Sequence, residues 1–147
     1  MEKRMNIETV TPEGYKAMFA LEGYLAKTEI PKTLKELIKI KASVINHCAF
    51  CIDMHTKEAL KNGETAQRLF LISAWHEAPG FFTKEEQIVL TMTEEITLIS
   101  NGGLKDETYR KASECFNEKQ LAEIIMAIVT INAWNRIAIS TKMEIGQ

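Results

Sequence analysis

The sequence predicts an all-α fold, a compact bundle of six to seven helices in a single domain over residues 1–147. Three observations carry this reading. Apolar residues recur three and four apart along most of the chain, with almost no stretch of period two. The seven glycines and three prolines fall mostly where helices would start or stop. No repeat, low-complexity stretch or linker divides the 147 residues, which suffice for one core without staples.

The elements follow in order. Tyr15, Met18, Phe19, Glu22 and Leu25 suggest a first helix before Pro31. After Pro31, the positions Leu34, Leu37, Ile38, Ala42 and Ile45 keep helical spacing. Cys48, Cys51, Ile52, His55 and Ala59 share one face of a further helix that stops at Asn62-Gly63. A run from Glu64 to Glu77, ended by Pro79-Gly80, turns Ala66, Leu69, Phe70, Ser73 and Ala74 inward. Thr83 and Glu86 form a capping-box pattern for a helix through Ile88, Val89, Met92, Ile96 and Ile99. Asp106 is placed to cap a short helix through Tyr109 and Ala112, which also carries Cys115 as a packed apolar residue. Asn117 starts the last helix, apolar nearly all round from Ile124 to Trp134. A helix without a wet face is buried in a core or an interface, and burial against a partner chain is the expectation here. Asn132, Asn135 and Arg136 are then expected to hydrogen-bond across that interface.

Charge narrows the function classes. A net charge of −2 offers no broad basic field for nucleic acid. Met1-Glu2-Lys3-Arg4 lacks the apolar run of a signal peptide. No stretch reaches the roughly 20 apolar residues of a membrane span. These features point to a cytoplasmic protein without a membrane or nucleic-acid partner. In that setting three cysteines argue for a catalytic or metal role of a close pair, not a disulfide framework.

The close pair is Cys48-Ala49-Phe50-Cys51, followed by His55. On a helix Cys48 and Cys51 are three apart and Cys51 and His55 four, so all three share a face. Thiolate, not thiol, is the nucleophile, and a working site must favour it. Asn46 as N-cap would set Cys48 in the first turn at the positive helix end. His55 is spaced to take the Cys51 proton. Glu36 is the only carboxylate between Pro31 and Cys48. On one straight helix it would lie roughly 18 Å from Cys48, so a relay to the thiols needs a turn near Asn46. Zinc is a rival use of Cys48, Cys51 and His55, with Cys115 or His47 as the fourth ligand.

The register Glu36, Cys48-Ala49-Phe50-Cys51, His55 resembles the alkylhydroperoxidase D-like (AhpD-like) branch of the carboxymuconolactone decarboxylase family. The flanking Leu37-Ile38-Lys39-Ile40, Thr56-Lys57-Glu58-Ala59 and Thr83-Lys84-Glu85-Glu86 are similar to it as well. The resemblance implies an all-helical fold assembled as homotrimers or homohexamers. It implies that Glu36 and His55 relay a proton to activate Cys51, which attacks a hydroperoxide and becomes a sulfenic acid. Cys48 then resolves it to a disulfide, and an outside dithiol, borne by a lipoyl-bearing or thioredoxin-like protein, restores the thiols. Such a peroxidase needs no cofactor and no metal. The best-known peroxidase of the family carries a histidine between its cysteines where this chain has Phe50. Two other readings stay open: a non-catalytic redox sensor or metal-holding protein, and a decarboxylase-like enzyme using Glu36 and His55 as acid and base.

Overall fold

The structure is a computed structural model and describes residues 2–146. Eight α-helices form among them: α1 (Ile7–Val10), α2 (Pro12–Ala26), α3 (Lys32–Ile45), α4 (Ala49–Lys61), α5 (Ala66–Leu71), α6 (Lys84–Thr97), α7 (Asp106–Cys115) and α8 (Glu118–Thr141). No strand occurs among the described residues. The seven expected helices are present, and α1 is a single turn capped by Asn6.

Caps written in the sequence set several boundaries. Thr83 and Glu86 close a reciprocal capping box at the start of α6. Asn117 and Gln120 do the same for α8. Asp106 is the first residue of α7 and Lys105 occupies the cap position, so the expected Asp106 cap is replaced by a charge inside the first turn.

The segment 64–77 departs from its expected single helix. After α5 the chain tightens into a 3₁₀ stretch, Ile72–Glu77. With three residues per turn, Ile72 and Trp75 stack on one side and are buried. Phe70 is left 81% exposed, and Ser73 and Ala74 also face out.

Helix α3 is central and packs against α4, α6 and α8. One core joins Leu34, Ile38 and Ala42 of α3 to Val89 and Met92 of α6 and to Ile124, Ile128 and Ile131 of α8. A second joins Leu37 and Ile40 of α3 to Ala59, Ile72, Trp75 and Leu90. One face of helix α8 is therefore buried by its own chain, against α2, α3, α4, α6 and α7, while Val129 and Ile139 on its other side stay exposed. At 24 residues, with a best-window hydropathy of 1.3, it is long and apolar enough to cross a membrane, contrary to the expectation for this chain. Its buried face serves as the wall of the core.

Its amides also have intrachain partners. Asn46 Nδ2 donates to Asn132 Oδ1 and Asn135 Oδ1, both at 2.9 Å, and Asn135 Nδ2 donates to Ser43 Oγ at 3.0 Å. Arg136 Nη1 donates to the Asn132 carbonyl on the same helix. Asn46 at the end of α3 thus gives Asn132 and Asn135 partners within the chain, while Arg136 is exposed.

Candidate active site

The turn between α3 and α4 builds the site. His47 N–H donates to the Val44 carbonyl and Cys48 N–H to the Ser43 carbonyl, at 3.2 and 2.9 Å. This pair of bonds is a Schellman closure, and His47 takes its left-handed position with φ +55°. The chain thereby turns back without Gly or Pro. Asn46 ends α3, and Cys48 itself occupies the N-cap of α4. The expected Asn46 N-cap is corrected accordingly: its amide is already committed to α8.

With α4 starting at Ala49, Cys51 is the third helical residue and lies in the first turn beside unpaired backbone N–H groups. Cys48 Sγ and Cys51 Sγ are 2.7 Å apart, both free thiols and both buried. Ala138 of α8 packs on the pair, flanked by Phe50 and Met143. A disulfide bond of about 2.05 Å requires only a small further approach.

A cavity of about 360 Å³ opens onto this group. Cys51, Phe50 and His55 line it and Cys48 does not. Burial pushes the Cys51 thiol up to about 12, and the neighbouring Cys48 adds to this; side-chain hydrogen bonding from Asn135 and Ser43 works in the opposite direction. Burial likewise lowers the His55 pKa, helped by the Lys39 charge, and only partly offset by Glu58. At neutral pH the site is a neutral thiol beside a neutral imidazole. His55 Nδ1 faces Glu58 Oε2 at 3.5 Å, the long limit of a hydrogen bond.

Glu36 is buried at the other end of α4, where Asn62 Nδ2 donates to its Oε1 at 2.5 Å. Asn62 is seven residues beyond His55, about 10 Å along a helix. The structure thus brings Cys48, Cys51 and His55 to one place and sets Glu36 apart, outside the cavity lining. The carboxylates that do line the cavity are Glu22 and Glu58. Spacing could have revealed Glu58, three residues after His55; Glu22 falls on the apolar side of its helix, but nothing in the sequence links α2 to the cysteines. Ser43 and Asn135 were also missed as partners of Cys51, although amides three apart in an apolar helix marked Asn132 and Asn135 as unusual.

Among the described residues no three His, Cys, Asp or Glu side chains converge as a metal set. His47 is exposed on the turn, and Cys115 packs half-buried against the main core. Neither supplies a fourth ligand to the thiol pair.

Comparison with known proteins places this arrangement. The sequence profile described as the carboxymuconolactone decarboxylase family matches residues 12–94. YdfG, an uncharacterized protein of Bacillus subtilis, is 43% identical over 140 residues, 95% of each chain. The crystal structure of ATU0492 from Agrobacterium tumefaciens, a protein of unknown function suggested to be the antioxidant defence protein AhpD, matches with a TM-score of 0.95. It is 35% identical, and 99% of each chain is covered. The debrominase Bmp8 shares the fold, with a TM-score of 0.78 at 18% identity over 94% of this chain and 74% of its own.

Proposed function

Since this chain belongs to the carboxymuconolactone decarboxylase family, as an AhpD-like member, we propose that it is a dithiol peroxidase reducing organic hydroperoxides or hydrogen peroxide. The observation that carries the reading is the buried sulfur pair, 2.7 Å apart, with one sulfur opening onto a cavity that also holds His55.

In the proposed cycle His55 takes the Cys51 proton as attack begins. Nδ1–H directed at Glu58 leaves Nε2 as the basic nitrogen. The Cys51 sulfur attacks the terminal peroxide oxygen, the O–O bond breaks, and the departing alkoxide takes the proton back from His55. The products are a Cys51 sulfenic acid and an alcohol. Cys48 then attacks Cys51, a water leaves, and the disulfide forms. An external dithiol supplies two electrons and two protons to restore both thiols. Backbone N–H groups of the first α4 turn favour the negative sulfur in each step. Because burial holds both groups neutral at rest, base and nucleophile act together, and no thiolate waits in the resting enzyme.

Glu36 is proposed to act at a distance, as a positioning residue that ties the end of α4 to α3 through Asn62. A lipoyl-bearing or thioredoxin-like reductant, assembly as homotrimers or homohexamers and a cytoplasmic setting belong to the same proposal.

Thiol titration tests it. One equivalent of hydroperoxide removes two of the three thiols per chain, and a dithiol returns them. Cys51→Ser abolishes the reaction, whereas Cys48→Ser accumulates a sulfenic acid that dimedone traps. Dimedone labelling of Cys51→Ser in place of Cys48→Ser would reverse the roles, and peroxide-insensitive thiols in the wild type would end the reading.

A further inference from the structure

The cavity in front of Cys51 has a wall that the thiol chemistry does not use. Tyr15 and Phe19 lie one turn apart on α2 and meet Trp134 of α8. The three rings sit edge to face, with centroids 5.2, 5.4 and 5.7 Å apart. Trp134 Nε1 donates to Glu22 Oε1 at 3.0 Å, which fixes the indole's orientation. Met54 and Met143 complete the apolar lining, and Phe50 stands between the two cysteines. Such mutually perpendicular rings offer faces and edges to a further flat group. The thioethers adapt to its outline.

The charges at the cavity also discriminate. Lys39 Nζ lies 3.9 Å from Glu22 Oε2, so its ammonium is already matched. Glu58 adds a second carboxylate, half exposed, beside His55. One cation faces two carboxylates, and an incoming anion would meet net repulsion. A volume of about 360 Å³ lies in the range of small-ligand sites and far exceeds the need of hydrogen peroxide.

We infer that this cavity selects neutral hydroperoxides with a bulky, ring-bearing apolar body over hydrogen peroxide and over hydroperoxides carrying a carboxylate. The inference rests on the peroxidase reading for its reaction, but the selectivity belongs to the cavity itself. The ring lies against Trp134, Phe19 and Phe50, and the peroxide end meets Cys51. Hydrogen peroxide gains nothing from these walls and loses hydration on entering them. Burying roughly 100 Å² of apolar ligand surface corresponds to a preference of about 10- to 100-fold in kcat/KM.

Two measurements on the full-length wild-type chain test it. The first needs no turnover. Alkylation of Cys51 in the reduced protein is timed with 2-phenyl-2-propanol, its para-carboxylate or tert-butanol present at equal concentration. The neutral phenyl alcohol is expected to slow alkylation at least fivefold more than either of the others; equal protection by all three overturns the inference. The second compares kcat/KM for cumene hydroperoxide and hydrogen peroxide. A ratio of 10 or more is expected, and Phe19→Ala lowers that ratio severalfold. Phe19 is 55% exposed, so its truncation leaves the fold in place. A ratio near one in the wild type sinks the inference while leaving the peroxidase reading intact. Selective protection in a protein inert toward both peroxides supports the cavity's selectivity and sinks the peroxidase reading alone.

Discussion

Burial acts on titratable groups in two regions of this molecule, with opposite results. Beside α5 and α6, Arg68 Nε meets Glu64 Oε1 and Arg68 Nη2 meets Glu86 Oε1, each at 2.8 Å, with the guanidinium over the Phe82 ring at 4.9 Å. Burial works to raise the Glu86 pKa, but the Arg68 hydrogen bond, the Thr83 amide and the Arg68 charge outweigh it and hold the carboxyl low. The Glu86 hydrogen bond in turn drives the Arg68 pKa higher still. At the thiol site the same desolvation wins. The groups around Cys51 are mainly neutral amide and hydroxyl dipoles, from Asn135 and Ser43, and they do not offset it. Arg68 and Glu86 therefore stay ionised at neutral pH and fasten α5 to α6. The thiol site keeps its protons until a reaction moves them.

The sharpest break of that contrast removes the proposed base. His55→Ala is expected to lower peroxide reduction by about 10²- to 10⁴-fold, because the buried thiol then loses the imidazole that would take its proton. The pH profile carries the sign. The His55 pKa lies below its ordinary 6.5, so the neutral base persists through neutral pH and activity falls only under more acidic conditions. Alkylation of Cys51 should climb about tenfold per pH unit above neutrality, without levelling before about pH 12. A plateau near pH 7 would mean that a resting thiolate exists and that the two regions are alike. Stability follows the same linkage. His55, with its depressed pKa, contributes stability above about pH 6.5 that is lost as pH falls; Cys51, with its raised pKa, contributes stability below about pH 9 that is lost as pH rises toward 12.

Breaking the charged region should act on stability alone. Arg68→Ala leaves Glu64 and Glu86 facing each other without a cation, at side-chain exposures of 6% and 10%. A loss of about 2–4 kcal/mol is expected, read by urea unfolding near pH 7. Glu86 has a depressed pKa in the folded wild type, so its contribution is present above about pH 4.5 and vanishes as pH falls below that. The variant should accordingly lose part of the wild-type acid sensitivity. Its Cys51 alkylation rate should match wild type, since Arg68 lies outside the cavity lining.

Asn135 allows the comparison to be turned around, by placing a charge in the neutral region. It is fully buried, accepts from Asn46 and donates to Ser43. Asn135→Ala strips partners from both and should cost about 1–3 kcal/mol. Asn135→Asp keeps the shape and the acceptor for Asn46, but adds a negative charge near Cys51. That charge disfavours a second one on the sulfur, so alkylation at fixed pH should slow by a further factor of about ten. Faster alkylation in the Asp variant would contradict the idea that amide dipoles, and not proton acceptors, surround this sulfur.

How legible each region was in the sequence follows from the range of its interactions. Local signals read well: the Thr83–Glu86 box, the start of α8 at Asn117, the Asn62-Gly63 stop of α4, and the three- and four-residue spacings that put Cys48, Cys51 and His55 together. Those features are decided within one or two turns. Glu36 could not be placed by spacing, because its partner Asn62 is 26 residues away and the pairing depends on how α3 and α4 align. The Asn46–Asn132–Asn135–Ser43 network and the Tyr15–Phe19–Trp134 rings join helices that are far apart in sequence. The apolar length of α8 fitted a subunit interface as well as a core. Only the packing of α3 and α6 against it decides between them for the Asn135 face.

The turn between α3 and α4, beside the thiol site, gives the smallest and cleanest test. His47 holds a left-handed backbone, φ +55°, with its imidazole exposed, so a side chain there adds strain without adding contacts in the core. Glycine adopts that conformation freely, though it loses more chain entropy on folding. His47→Gly should therefore stabilise the fold by about 0.5–1 kcal/mol, a rise of about 2 °C in Tm. The Schellman closure and the Cys48 N–H bond to Ser43 persist in this variant, so the rate of disulfide formation after peroxide should not change. A large change in that rate, with unchanged stability, would show that the imidazole of His47 takes part in the chemistry and that the base at this site is not His55 alone.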